Sequence, residues 1–136
     1  MTVATGAEAL MGIDLGTTAV KVGLFDATTG ATSAITRTEY KPLSPAPGWL
    51  ELEAETYWEA TAAATREALA EAGHAEVIGI GLSSQGQTFM PLDEGYRPLR
   101  PALVWLDTRA QQQAEYLQSV FPQDDSPLSS GLPSPN

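Results

Sequence analysis

Cysteine is absent from the 136 residues, and histidine occurs once, at His74. That excludes a disulfide framework and a thiolate metal site. Within this chain it also excludes a histidine-built metal cluster and a serine–histidine–aspartate triad. Cationic side chains are scarce: seven Lys and Arg stand against seventeen Asp and Glu, for a net charge of -10. A chain so poor in positive charge does not neutralise a phosphate backbone or hold to an anionic membrane surface. Neither nucleic acid nor membrane is therefore expected among its partners. No run approaches the ~20 apolar residues that span a bilayer. Residues Met1 to Ala9 lack the basic start and long apolar stretch of a signal peptide. A cysteine-free chain suits a reducing compartment, so a cytoplasmic location is expected.

What is present describes a globular chain. Hydrophobic residues make up 43% and charged residues 18%, which separates it from disordered sequences. Its length suffices for one domain that buries roughly two-thirds of its unfolded surface. Met11, Ile13 and Leu15 alternate with Gly12, Asp14 and Gly16, a strand pattern. Val20, Val22 and Leu24 alternate with Lys21, Gly23 and Phe25, and the short link between the two runs predicts an antiparallel hairpin. A turn over 26–31 precedes a Thr-rich strand from about Thr32 to Tyr40.

The stretch "KPLSPAPGW" reads as a loop. Glu55 to Ala72 reads as a helix with Trp58, Ala62, Thr65, Leu69 and Ala72 on one face and Gly73 as its C-cap. Its many alanines favour close packing on a sheet. "VIGIGL" (77–82) predicts a buried strand parallel to the first. Gln87 to Asp93 and Ala102 to Trp105 predict two more strands, and a helix is expected from Thr108. The order predicts an α/β layer fold on a mixed sheet with flanking helices. Glu51, Glu53 and Glu55 are expected on a solvated face, and His74 towards solvent. After Phe121 the chain turns Pro/Ser-rich without periodicity. Its organisation is thus a leader (1–9), a domain portion (10–121) and a connection or tail (122–136).

The most informative stretch is "GIDLGTTAVKVGLFD", Gly12 to Asp26. If Thr17 and Thr18 form a two-residue hairpin loop, Leu15 falls opposite Val20 and Asp14 opposite Lys21. The apolar residues then share one face and the charged pair the other. Around a nucleotide this makes chemical sense. Gly16 permits close backbone approach, and turn amides can point at phosphate oxygens. Thr17 and Thr18 add hydroxyls, Lys21 a positive charge, and Asp14 a hard oxygen ligand for Mg²⁺. It is not a Walker A loop, since that glycine–lysine spacing is absent. The competing reading is a surface hairpin with an ion pair worth under ~1 kcal/mol.

"GIDLGTT" resembles the first phosphate motif of the actin-like, ribonuclease-H-like ATPase superfamily. "PGWLELEAETYWEA" (47–60) and "IGIGLSSQGQTFMPLDEGYRPLRPALVWLDTRA" (78–110) resemble successive blocks of the FGGY carbohydrate kinases. Together they cover most of residues 11 to 120. The resemblance implies an incomplete N-terminal domain of ribonuclease-H-like fold. It also implies a longer, two-domain parent kinase that uses ATP and Mg²⁺ to phosphorylate a sugar, polyol or related metabolite, with cleft closure excluding water. By that resemblance Asp14 organises the metal, and Gly16, Thr17, Thr18 and Lys21 contact the ATP phosphates. Gly86 and Gln87 fall where family members place substrate-contacting residues; from their own chemistry, Trp105 is a candidate pocket wall and Asp107 a candidate partner for a substrate hydroxyl. Glycerol kinases carry Arg-Glu at the Gly86-Gln87 position and xylulokinases Met-His; this sequence carries neither.

From the residues themselves, Trp105 fits a strand core as well as a pocket wall. Asp107 or Thr108 fits a helix cap, and Arg109 an ion pair with an acidic neighbour. No general base is recognisable; the family's aspartate is expected beyond residue 136. The partners implied are the missing remainder of the same protein and, for the whole kinase, a second copy in a homodimer. The chain alone is expected to be inactive, to expose apolar surface, and to be marginally stable or self-associating. The alternative is a non-catalytic actin-like module that binds nucleotide or protein.

Overall fold

The computed structural model describes residues 7–73 and 75–121. The expectations for His74, for most of the leader and for the Pro/Ser-rich stretch lie outside the described residues. The elements are β1 (Glu8–Leu15), β2 (Ala19–Asp26), β3 (Thr32–Glu39), β4 (Glu51–Leu52), α1 (Ala54–Glu71), β5 (Glu76–Ser84), β6 (Ala102–Leu103) and α2 (Gln111–Val120). Four strands form one mixed sheet in the order β3-β2-β1-β5. The first three make an antiparallel meander, and β5 joins β1 in parallel. β4 and β6 form a separate antiparallel ribbon.

The core lies between the meander and α1. Met11, Ile13, Val20, Val22, Leu24 and Ala34 meet a helix face built from Ala60, Ala64, Ala68 and Ala72. This alanine row at every fourth position lets the helix approach closely, so that the buried Thr36 hydroxyl of β3 donates to the Ala64 carbonyl at 2.7 Å. The expected face is thereby corrected. Trp58 lies about 200° around the helix from Ala60 and is exposed, because an indole has no room in so thin a layer. Gly73 follows the helix at φ +73°, the left-handed conformation that ends helices, as the sequence predicts.

Three further differences have physical causes. β5 is parallel to β1 but not buried: Ile78, Ile80 and Leu82 are exposed. Ile80 and Leu82 pair with Met11 and Ile13 and share their face, yet α1 lies over β2 and β3. Residues 87–93 make only isolated bridges, Phe89 to Leu103 and Leu92 to Pro98. Pro91 and Pro98 have no amide hydrogen to continue a ladder. Ala102 to Trp105 joins β4 rather than the main sheet, and α2 begins at Gln111, after a tight turn in which the Asp107 amide donates to Val104 O at 2.7 Å.

Candidate functional site

The β1–β2 corner has the register the sequence predicts: Leu15 pairs with Val20 and Asp14 with Lys21. Asp14 is half-buried and Lys21 exposed, and no ion pair joins them among the described residues. The hairpin closes through the Gly16 amide, which donates to Ala19 O at 3.0 Å. A Cβ on Gly16 would stand 2.9 Å from that same oxygen, so only glycine closes this corner without displacement. Tyr40, at the end of β3, braces it from behind. Its hydroxyl donates to the Gly16 carbonyl, and its amide donates to Thr18 O at 2.9 Å. Burial pushes the Tyr40 phenol up to about 12, with Tyr57 and the Asp14 charge adding to the effect. The phenol therefore stays protonated and a donor. Tyr57 packs edge-on against it, with ring centroids 5.4 Å apart.

A second corner stands beside the first. β1 and β5 run in parallel and finish together, Leu15 alongside Ser84, with the Gln85 amide donating to Leu15 O at 3.0 Å. Open α/β sheets place ligands at the carboxyl ends of such strands. Gly86 and Gln87 follow at once, exposed, with open space around the Gly86 Cα. Gln87 holds φ at +61°, a backbone conformation that costs a non-glycine residue energy and clusters at functional positions. Trp105 also reaches this place. It is 45% exposed, so it is not core. Its indole N–H donates to the Thr17 hydroxyl at 2.9 Å, and its amide to the Thr88 hydroxyl at 3.1 Å. Thr17 donates to Gln85 Oε1 at 2.8 Å, and Gln85 Nε2 donates to the Tyr57 hydroxyl at 2.8 Å.

Below Trp105 a charged clamp holds the 104–109 turn. Glu51, expected in solvent, is buried, and accepts from Arg100 at 2.6 Å and Arg109 at 2.9 Å. Arg109 also pairs with Asp107 at 2.6 Å, and its guanidinium lies 3.9 Å over the Trp49 ring. Asp107 additionally accepts the Leu50 amide at 2.6 Å and the Arg109 amide at 3.0 Å. Its oxygens are thus taken up by the protein, and it caps the turn rather than α2, whose N-cap Ala110 has no side-chain bond. Hydrogen bonding from Arg109 holds the Asp107 carboxyl down at about 2, and Arg109 likewise lowers Glu51. Gly48, at φ +77°, is where the two segments touch: its carbonyl accepts the Thr108 amide at 2.8 Å, and a Cβ would meet Thr108 Oγ1 at 2.6 Å.

The sequence reading missed Glu51, Arg100, Gln85 and Tyr40. The Gly-Trp-x-Glu spacing was the available signal for Glu51, but its arginines lie about fifty residues on and meet it only through the β4–β6 pairing.

On the sheet face away from α1, an open trough of about 450 Å³ runs from Asp14, Lys21 and Ser83 to Phe25 and Ile35, floored by Gly12, Gly23 and Gly81. Among the described residues no group of three or more His, Cys, Asp or Glu is gathered for a metal ion. No described helix is long and apolar enough to cross a membrane.

An antiparallel meander with a fourth strand added in parallel, carrying a glycine-threonine corner at its open end, defines an α/β fold of the actin-like, ribonuclease-H-like type. Residues 9–133 match the N-terminal domain of the FGGY family of carbohydrate kinases, and the chain belongs to that family. A glycerol kinase of Methylorubrum populi is 35% identical over 129 residues, which is 93% of this chain and 26% of that enzyme. An L-xylulose/3-keto-L-gulonate kinase of Escherichia coli is 34% identical over 104 residues, covering 75% of this chain and 21% of its own length. The crystal structure of a xyloylose kinase from Brucella ovis superposes with a TM-score of 0.74 at 32% identity, over 82% of this chain and 24% of that one. The chain thus spans about a quarter of the length of such relatives.

Proposed function

We propose that the intact protein transfers the γ-phosphoryl group of ATP to a hydroxyl of a sugar, polyol or related metabolite, and that this chain supplies the phosphate corner and one wall of the acceptor site. The observation that carries the reading is adjacency. The Gly16–Thr18 corner and the Gly86–Gln87 corner sit at the carboxyl ends of neighbouring parallel strands, with Trp105 between them. Phosphoryl transfer needs little covalent chemistry from the protein; it needs the two reactants held in line and the phosphate charge offset.

Here Lys21 supplies positive charge, and the Gly16–Thr18 amides and the Thr18 hydroxyl supply donors. Asp14, half-buried and outside any ion pair among the described residues, suits a Mg²⁺ ion whose remaining ligands are phosphate oxygens and water. The ion would offset the charge of the phosphates. Trp105 offers its flat ring to the C–H face of the acceptor, and Gly86 and Gln87 offer polar contacts to its hydroxyls. Asp107 acts on the acceptor only through the turn it holds. None of the described residues is assigned as the general base. A cytoplasmic setting and a homodimer belong to the same reading.

The test is ADP release by the intact protein with Mg²⁺-ATP and a panel of ketoses, aldoses and polyols. Acceptor-dependent release is expected from at least one member. Asp14→Ala is expected to lower that turnover about a hundredfold or more, as loss of a charge-positioning group does. No acceptor-dependent release across the panel, or an unchanged Asp14→Ala enzyme, overturns the reading. Nucleotide binding without any turnover would favour the non-catalytic module.

A further inference from the structure

Three hydrogen bonds hold the backbone between Gly16 and Thr18, and Tyr40 donates two of them. The Gly16 amide donates to Ala19 O at 3.0 Å, the Tyr40 amide donates to Thr18 O at 2.9 Å, and the Tyr40 hydroxyl donates to the Gly16 carbonyl. The last of these fixes a direction as well as a place. Gly16 C=O and Thr17 N–H belong to one peptide unit, and in a planar trans peptide the two point opposite ways. Tyr40 is buried in the core cluster, with its ring edge-on to Tyr57 of α1. A carbonyl drawn towards it leaves the Thr17 N–H facing away from it. The amides of Thr17 and Thr18 take no hydrogen-bond partner among the described residues. Glycine restrains its own peptide less than any other residue, so the direction of this one depends on the hydroxyl that holds it.

We propose that Tyr40 is a positioning residue for phosphoryl transfer: its hydroxyl, by holding the Gly16 carbonyl, aims the Thr17 amide at a phosphate oxygen of the nucleotide. This rests on the kinase reading above, which puts the phosphates at this corner. A donor fixed by the fold before the nucleotide arrives needs no reorganisation when the charge meets it. Without the hydroxyl, the Gly16–Thr17 peptide is free to turn, and part of the binding energy goes into setting it. Tyr40 acts through the backbone alone.

The experiment uses the intact protein. Tyr40→Phe keeps the ring against Tyr57 and removes the hydroxyl, while the backbone bond to Thr18 stays. Replacing Tyr40 with 4-aminophenylalanine, by stop-codon suppression, puts an N–H donor back where the hydroxyl stood. Thr36→Val is the control, since it removes a buried hydroxyl bond of the same kind, to the Ala64 carbonyl and not to the corner. Dissociation constants for Mg-ATP and for adenosine are measured by equilibrium binding, and the urea midpoint of each variant confirms that it is folded. Tyr40→Phe is expected to weaken ATP binding roughly five- to tenfold, the worth of about one hydrogen bond, and adenosine binding by less than about twofold. The amine variant is expected to recover most of the lost affinity, and Thr36→Val to bind both ligands as wild type does. Equal losses for ATP and adenosine, a matching loss in Thr36→Val, no recovery with the amine, or no loss in Tyr40→Phe each overturn the proposal.

A second readout follows the amide itself. In intact protein labelled with ¹⁵N-threonine, the Thr17 amide resonance, assigned with Thr17→Ser, is expected to move on adding Mg-ADP and not adenosine, and to move less in Tyr40→Phe. An amide unmoved by Mg-ADP in the wild type sinks the idea whether or not any variant folds. If the wild type binds ATP but turns over no acceptor, the kinase reading fails, and these binding measurements still decide the role of Tyr40. If it binds no nucleotide at all, both fall.

Discussion

Tyr40 reaches the corner from the far end of β3, and its protonation state is part of how the corner is held. The fold raises its pKa from the ordinary 10.0 to about 12, chiefly by burial. A raised acid favours the neutral form in the folded state. Its contribution is therefore complete below pH ~10 and is lost as pH climbs through about 12. Wild type is expected to lose stability across that window in urea titrations, and Tyr40→Phe to lose less, the remainder belonging to Tyr57, whose phenol burial also raises. At neutral pH the same variant, deprived of its bond to the Gly16 carbonyl, is expected to be less stable by about 1 kcal/mol. Gly16→Ala would press a methyl group against Ala19 O, and is expected to weaken nucleotide binding in the intact protein, read by titration calorimetry. The Asp14–Lys21 pairing was legible in the sequence because alternation and a two-residue loop together fix a register. Tyr40 was not, because nothing local marks a tyrosine whose partner lies twenty-four residues earlier.

The β4–β6 ribbon is small, and the charged clamp does much of its work. Arg109 is forked onto Asp107, bonded to Glu51 and stacked on Trp49, so Arg109→Lys is not a conservative change. It loses the fork and the stack together, and is expected to destabilise the fold, read as a lower urea midpoint than wild type. Asp107, held at about 2 in the fold, works in the opposite direction from Tyr40. A depressed acid stabilises above its unfolded value of roughly 4, and that contribution is lost as pH falls through about 2. Asp107→Asn is expected to flatten the stability profile across that acid window, measured as the urea midpoint against pH. The ionic partners of Glu51 were invisible in advance, and the acidic run around it looked like an ordinary solvated face. The helix α1 was legible as an element but not in its orientation. Hydrophobic size pointed to Trp58, while the close layer selected the alanines.

At the scale of the molecule, the meander with its parallel fourth strand was legible, because each strand carries its own alternation and the helix between β4 and β5 forces the crossover. The burial of β5 was not, since periodicity marks which face is apolar and not what covers it. Ile78, Ile80 and Leu82 stand open to solvent along a strand at the sheet edge, a template for pairing with other chains. The 136-residue chain by itself is expected to self-associate, seen in sedimentation velocity as a weight-average size that grows with concentration. A concentration-independent monomer with a cooperative, high-midpoint melt would contradict this. The sheet order also has a consequence for synthesis. β1, β2, β3 and α1 share the alanine-lined core, and all four precede Glu76 in the chain. While the ribosome is still threading out the later segment, that nascent layer can already close on itself, so β5 is the last of the four sheet strands to arrive and docks onto a finished surface, the slow long-range pairing deferred until a scaffold exists to receive it.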